Sequence, residues 1–515
     1  MDDMLDYQSI VIIILLSSVT LLLILAFNFK LRSRGRKLPP GPWRIPVIGN
    51  LHQLGKLPHR TLRHLAEKYG PLMHLQLGQI PAIIVSSPEV ASEIMKTHDL
   101  EFCSRPSNVV LMKFSYNGLD ISLSKYGEHW RQMRRLATLE IFSMKRVQSF
   151  RTVREEEVHV LIQSIRQYSC SQGPVNLSEM FLCMTNNIIC RQVFGKRFSE
   201  DGQCNRSKLH DLVMETVELM GGFSVGDFFP CLGCLSVITG FQGKIERNFK
   251  RMDEFFEGEI EEHCLSLMND QGVHDDQEQE DFLDVLLKSQ KDSANLSFSL
   301  TRDHIKAILM DMFLAGTDTS AATLEWAMTE LMRCPSVMKK AQDEVQGVVK
   351  NKGKVEECDL QQLQYLKCII NETLRLHCIV PLLLPRESMK GCKVFGYDIA
   401  KNVRVLINAW AIARDPKFWE NPETFMPERF EGNVINYRGQ HFEFIPFGAG
   451  RRICPGMQMG VFAVEIALAN ILYHFNWELP FGICCKDIDM TETFGIVLHK
   501  KLPLCLQARP TNILV

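Results

Sequence analysis

No excess of one charge runs through this chain: 58 lysines and arginines against 60 aspartates and glutamates leave a net charge of −2. A nucleic-acid partner, which a strongly basic balance would imply, is therefore not expected, and any electrostatic docking has to come from local patches. Regular cysteine spacing is missing too. The 17 cysteines are odd in number and scattered, which speaks against a disulfide framework and for reduced thiols facing cytosol. The pair Cys231 and Cys234 has zinc half-site spacing, but no second pair accompanies it, so packing is the expected role. Asp275 to Asp281 lacks any apolar face and reads as an exposed acidic linker.

What is present is globular: 46% hydrophobic and 23% charged residues in 515. Ile10 to Phe27 is an uncharged run long enough to span a bilayer. A cleaved signal would need a basic start, whereas this chain opens with Asp2, Asp3 and Asp6, and its positive charges (Lys30, Arg32, Arg34, Arg36, Lys37) follow the run. The positive-inside rule then leaves the body in the cytosol, with a single-pass anchor in the endoplasmic reticulum membrane. The sequons at Asn176, Asn205, Asn295 and Asn371 are accordingly expected to stay unmodified. Pro39, Pro40, Pro42 and Pro46 stiffen the next stretch, either as a spacer orienting the body or as an ordinary loop. The expected layout is a lumenal tail and anchor over 1–29, a basic flank and proline-rich hinge over 30–50, and one catalytic domain over 51–515. The hairpin pattern of Leu72 to Val85 breaks between Gly78 and Pro81; Phe102 to Ser124 reads as irregular.

The chemistry concentrates in Phe447 to Gly456. Gly448 and Gly450 let the backbone lie against a flat partner, Arg452 supplies a charge and Cys454 a soft ligand. A helix opening just after Cys454 would turn its free N–H groups toward the sulfur and favour a thiolate able to ligate haem iron. Upstream, an apolar pattern from the capping residue Thr301 to Cys334 predicts a helix of about thirty residues, far beyond the usual ~11 to 12. Its middle, Ala315-Gly316-Thr317-Asp318-Thr319-Ser320, is weak in helix formers, and the Thr319 hydroxyl could bond the Ala315 carbonyl and bend the axis. Small residues easing helix packing explain the same stretch without chemistry. Trp130 and Arg134 share one face of a helix opening near Tyr126, and Glu372 and Arg375 lie three apart on another.

The spacing Phe447-x-x-Gly450-x-Arg452-x-Cys454-x-Gly456 resembles the haem-binding signature of the cytochrome P450 superfamily, and nearly the whole chain is similar to plant microsomal members of its A-type clan. That resemblance implies a mainly α fold with small β-sheets behind an N-terminal transmembrane helix. It also implies haem b with Cys454 as the axial iron ligand, set against Phe447, Gly448, Ala315 and Gly316. Trp130, Arg134 and Arg386 would meet the haem propionates, and Arg452 would add a charge to the cofactor site. Glu372, Arg375 and Arg429 would form a buried charge triad. Asp318 and Thr319 would fill the acid and alcohol positions that deliver protons to activated oxygen. Cys378 and Ile379 stand where plant relatives commonly carry two prolines, which leaves the neighbouring pocket wall less constrained.

The implied reaction is hydroxylation of a small hydrophobic plant metabolite (terpenoid, alkaloid or phenolic) with dioxygen and two electrons from NADPH, delivered by a membrane-bound NADPH-cytochrome reductase. The same oxidant could instead serve desaturation, oxidative cyclisation or coupling; a non-oxygenating haem isomerase or sensor is disfavoured because Asp318 and Thr319 are retained. Candidate substrate contacts are Met112, Phe114, Val380, Leu382, Phe494 and Val497.

Overall fold

The computed structural model describes residues 37–170, 173–198, 207–222, 224–233, 240–269, 280–291, 299–350, 352–493 and 495–511. The run Ile10 to Phe27, Cys234, most of the acidic linker and Phe494 lie outside them.

The helices that frame the molecule are α1 (Pro58–Tyr69), α2 (Val109–Phe114), α3 (Glu128–Leu136), α4 (Arg151–Cys170), α5 (Leu177–Phe194), α6 (Lys208–Gly221), α7 (Phe241–Asn269), α8 (Phe282–Lys291), α9 (Arg302–Arg333), α10 (Pro335–Val349), α11 (Gln364–Leu376) and α12 (Met457–His474). Strands are few and short. β1 (Leu72–Leu77) and β2 (Ile80–Val85) form an antiparallel hairpin in which Leu77 faces Ile80, so the turn is Gly78-Gln79 and Pro81 already belongs to the strand. The other strands are β3 (Val175–Asn176), β4 (Arg386–Glu387), β5 (Cys392–Val394), β6 (Tyr397–Ile399), β7 (Arg404–Ile407), β8 (Phe475–Glu478), β9 (Glu492–Thr493), β10 (His499–Lys500) and β11 (Cys505–Pro510). The largest sheet runs β1-β2-β7-β4, with β2 and β7 parallel.

α9 organises the rest. Thr301 caps it, its hydroxyl accepting from the His304 N–H while the His304 ring accepts from the Thr301 N–H, and Pro335 forbids its continuation past Cys334. Its 32 residues span about 48 Å and pack on α5, α11 and α12. The first half, Ile305 to Phe313, lies in one apolar cluster with α5, α7 and α8; the second, Ala321 to Met332, lies in another with α4, α11 and α12. Between them Ala315 to Ser320 belongs to neither cluster. Gly316 there is pressed against α5, where an added Cβ would come 2.5 Å from Ile189 Cδ1.

Several local expectations change. Phe102 to Ser124 is not wholly irregular: Asn108 caps α2 by accepting from the Leu111 N–H, and Asp227 accepts from Val109 N–H at 2.9 Å. Asp281, read as part of an exposed linker, is buried, caps α8 through the Asp284 N–H at 2.9 Å, and pairs with His263 at 3.0 Å. The proline-rich stretch is tied to the body. Lys37 N–H donates to Asp398, the Pro40 carbonyl accepts from His74 N–H at 2.8 Å, and the Asn50 amide reaches the Trp43 carbonyl at 3.0 Å. Among the described residues α12 is the helix long and apolar enough to cross a membrane, and with 78% of that window buried it is a core helix.

Candidate active site

The cysteine loop closes on itself: Cys454 N–H donates to the Phe447 carbonyl at 3.0 Å, and Gly448 (φ +70°) and Gly450 (φ +68°) make the turns that allow it. At Gly450 a Cβ would collide with the Met95 carbonyl, so the position tolerates only hydrogen. α12 begins three residues after Cys454, and the N–H groups of Gly456 and Met457 point at the sulfur. Burial pushes the thiol up; those two N–H groups and the Arg134 guanidinium pull it back toward thiolate. The sulfur faces a cavity of about 350 Å³, within the range of ligand pockets.

Four guanidiniums line that cavity: Arg105, Arg134, Arg386 and Arg452. Arg452 donates to the carbonyls of Cys103 (2.7 Å), Ile121 (3.2 Å) and Ser124 (2.6 Å) and lies 4.2 Å over the Trp130 ring. Trp130 spends its own N–H on the Ile121 carbonyl at 2.9 Å and does not line the cavity; it supports Arg452 from behind. Arg134 holds the Ile453 carbonyl at 2.6 Å, and Arg386 the Ala449 carbonyl at 2.7 Å and Asp99 at 3.1 Å. Arg105 donates to the carbonyls of Ser122, Leu384 and Pro385. Sequence reasoning missed it, since nothing in the neighbouring Ser104, Pro106, Ser107 and Asn108 marks this arginine. Burial lowers all four, Arg452 to about 10. Among the described residues the carboxylates facing the same cavity are Asp120 and Asp311, which burial pushes up toward the neutral acid. The cavity wall is thus short of negative charge.

Opposite the cysteine, α9 presents Ala315, Gly316 and Thr319. Thr319 Oγ1 donates to the Ala315 carbonyl at 2.6 Å, as its spacing predicts, and Thr185 Oγ1 of α5 donates to the Thr317 carbonyl at 2.8 Å. Asp318 turns the other way: it is fully buried, does not line the cavity, and both its oxygens lie 3.0 Å from Nε2 of His499 on β10. Phe114, Val380 and Val497 line the cavity together with Ile379, Leu383 and Ile496. Met112 lies near Gly118, and Leu382 is packed in the cluster under β1 and β2; neither reaches the cavity, because α2 turns Phe114 inward and Leu383, one residue on, takes the inward position. Phe494 lies outside the described residues.

Beneath the cavity Glu372 accepts from Arg375 twice (2.7 and 2.8 Å), from Arg429 at 3.0 Å and from the Met426 N–H at 2.9 Å. Arg375 also holds the carbonyls of Ala413 and Pro422, so the fully buried pair is hydrogen-bonded throughout. It fastens α11 to the meander that leads into the cysteine loop.

A half-buried thiol at a helix N-terminus beside four arginines, of which Arg386 has a carboxylate partner in Asp99, fits a flat iron cofactor with carboxylates on one edge. Residues 39–506 match the family model for Cytochrome P450, and the chain belongs to that family: it is a haem-thiolate monooxygenase of the plant A-type clan. It is 52% identical over 462 residues to Cytochrome P450 71A1 of Persea americana, covering 90% of this chain and 91% of that protein. Strychnine-11-hydroxylase of Strychnos nux-vomica is 48% identical, over 93% of this chain and 92% of its own. Among solved structures, a zebra fish cytochrome P450 with abiraterone superposes with a TM-score of 0.74 at 25% identity, over 89% of this chain and all of that one.

Proposed function

We propose that this chain holds haem b through Cys454 and hydroxylates a small apolar plant metabolite, drawing its electrons from NADPH through a membrane-bound reductase. Arg134, Arg386 and Arg452 would receive the carboxylates, Trp130 would keep Arg452 in place, Phe447 and Gly448 would border one side and Ala315 and Gly316 the other. Bound there, haem supplies dioxygen activation and insertion of one oxygen atom into a C–H bond. The residues around it bind, orient and deliver protons. The apolar wall of Phe114, Val380, Leu383 and Val497 excludes water and selects hydrophobic substrate. The Thr319 hydroxyl stands at the cavity as the last proton donor, with Asp318 behind it in the helix. A relative that hydroxylates strychnine supports a substrate of comparable size.

The same reading places residues 51–515 as one catalytic body behind an anchor over 1–29 and a hinge over 30–50, on the cytosolic side of the endoplasmic reticulum. Its support is a patch of exposed apolar side chains, Trp43, Val47, Ile48 and Leu232, joined through Gly78 N–H on the Ile48 carbonyl and Gln79 N–H on the Phe228 carbonyl. Glycans at Asn176 or Asn371 would contradict it.

The observation that carries the proposal is the Cys454 sulfur at the mouth of α12, facing a cavity ringed by arginines. Full-length protein reconstituted with reductase and NADPH should consume a compound from a plant extract and incorporate one labelled atom from ¹⁸O₂. Product formed without NADPH, or a carbon-monoxide spectrum of a histidine-bound haem, would refute it.

A further inference from the structure

Asp318 is sealed from bulk water and turned away from the cavity, so the proton it passes on needs a carrier of its own. His499 is placed to be that carrier. Its side chain is 27% exposed while that of Asp318 is 0% exposed, and its Nε2 lies 3.0 Å from both carboxylate oxygens. The hydrogen bond runs to Oδ2, the oxygen on which a proton leaving Nε2 would land; Oδ1 is buried without a hydrogen-bond partner among the described residues.

The pairing is not needed to dock the hairpin. Trp326 Nε1 donates to the Leu498 carbonyl at 2.9 Å, Leu498 N–H donates to the Ile379 carbonyl at 2.8 Å, and Lys500 holds the Asp489 carbonyl. Across the hairpin His499 faces Thr493, which carries no charge. The charged groups facing the imidazole are Asp318 and Glu325 from α9, with Lys500 beside it on its own strand.

We infer that His499 is a positioning residue for catalysis: its protonated ring gives the Nε2 proton to Asp318, which hands it on to Thr319, and the neutral ring that remains, with its proton on Nδ1, turns Nε2 to solvent to take up the next. The inference rests on the assignment of Asp318 and Thr319 as the proton-delivering pair. Hydroxylation consumes dioxygen, two electrons and two protons to form alcohol and water, so each turnover requires two such deliveries. Burial would lower the imidazole, but the hydrogen bond and charge of Asp318, helped by Glu325, outweigh it and hold the ring above its ordinary value.

The test uses the full-length chain in lipid nanodiscs with reductase, comparing wild type, His499→Gln and Asp318→Asn. Glutamine keeps a hydrogen bond to Asp318 but cannot relay a proton. The expected result for His499→Gln is unchanged haem loading and substrate-binding spectrum, about tenfold slower product formation with electrons diverted to hydrogen peroxide, and a larger solvent deuterium isotope effect. Independently of turnover, NMR of ¹³C-histidine-labelled protein should show the His499 ring titrating above the ordinary histidine range, falling back in Asp318→Asn. A His499→Gln enzyme with wild-type coupling and isotope effect overturns the inference, while the Asp318 and Thr319 assignment stands if Asp318→Asn is still uncoupled. Wild-type behaviour of Asp318→Asn would sink both. A His499 titration indifferent to Asp318→Asn would show that the contact does not exist.

Discussion

Glu372 is bonded by two arginines and one backbone N–H, so removing its charge strands buried cations instead of deleting a single contact. Glu372→Gln should cost roughly 3 to 5 kcal/mol in denaturant unfolding and yield protein that fails to retain haem. Glu-x-x-Arg was legible in the sequence because its partners lie three residues apart on one helix. Arg105 was not, since the carbonyls it binds at Leu384 and Pro385 lie 279 and 280 residues away. Thr319→Ala removes the hydroxyl at the cavity and frees the Ala315 carbonyl. Its expected effect is slower product formation and more hydrogen peroxide per NADPH, by about tenfold, with unchanged substrate binding.

Among the elements, α9 and α5 set the width of the cavity. Gly316→Ala gains about 1 kcal/mol of helix propensity but drives a methyl into Ile189, an overpacking that costs about 1 to 3 kcal/mol. Net destabilisation is therefore expected, with recovery in Gly316→Ala/Ile189→Val; a double-mutant cycle that is strictly additive would show that the helices have room to spare. Both ends of α9 could be read from Thr301 and Pro335, because capping and proline act locally. The direction in which Asp318 points could not, since it depends on where a hairpin 181 residues further on comes to rest. Nor could the turn of α2 that brings Phe114 in and leaves Met112 out: that helix is held by Asp227, far along the chain.

For the molecule as a whole, stability should depend on pH through Glu465, a buried carboxyl on α12 that burial pushes up to about 7 from an ordinary 4.5. The folded chain keeps this proton where the unfolded chain has released it. The contribution is full below about pH 4.5 and is lost as pH rises through about 7, on the order of 3 kcal/mol. Glu465→Gln should flatten the pH dependence of the denaturation midpoint between about pH 4.5 and 7 and raise the midpoint above about pH 7. An unaltered pH dependence would place the carboxyl in contact with water.

The bonds that tie residues 37 to 50 to β1 and to Asp398 give the molecule a stiff drawbar where a slack tether would have served. Force applied at Lys37 would pass into the sheet β1-β2-β7-β4, so the anchor proposed upstream would also set the tilt of the cavity mouth. Lengthening this segment by a few glycines would leave every catalytic group in place and yet let the enzyme swivel.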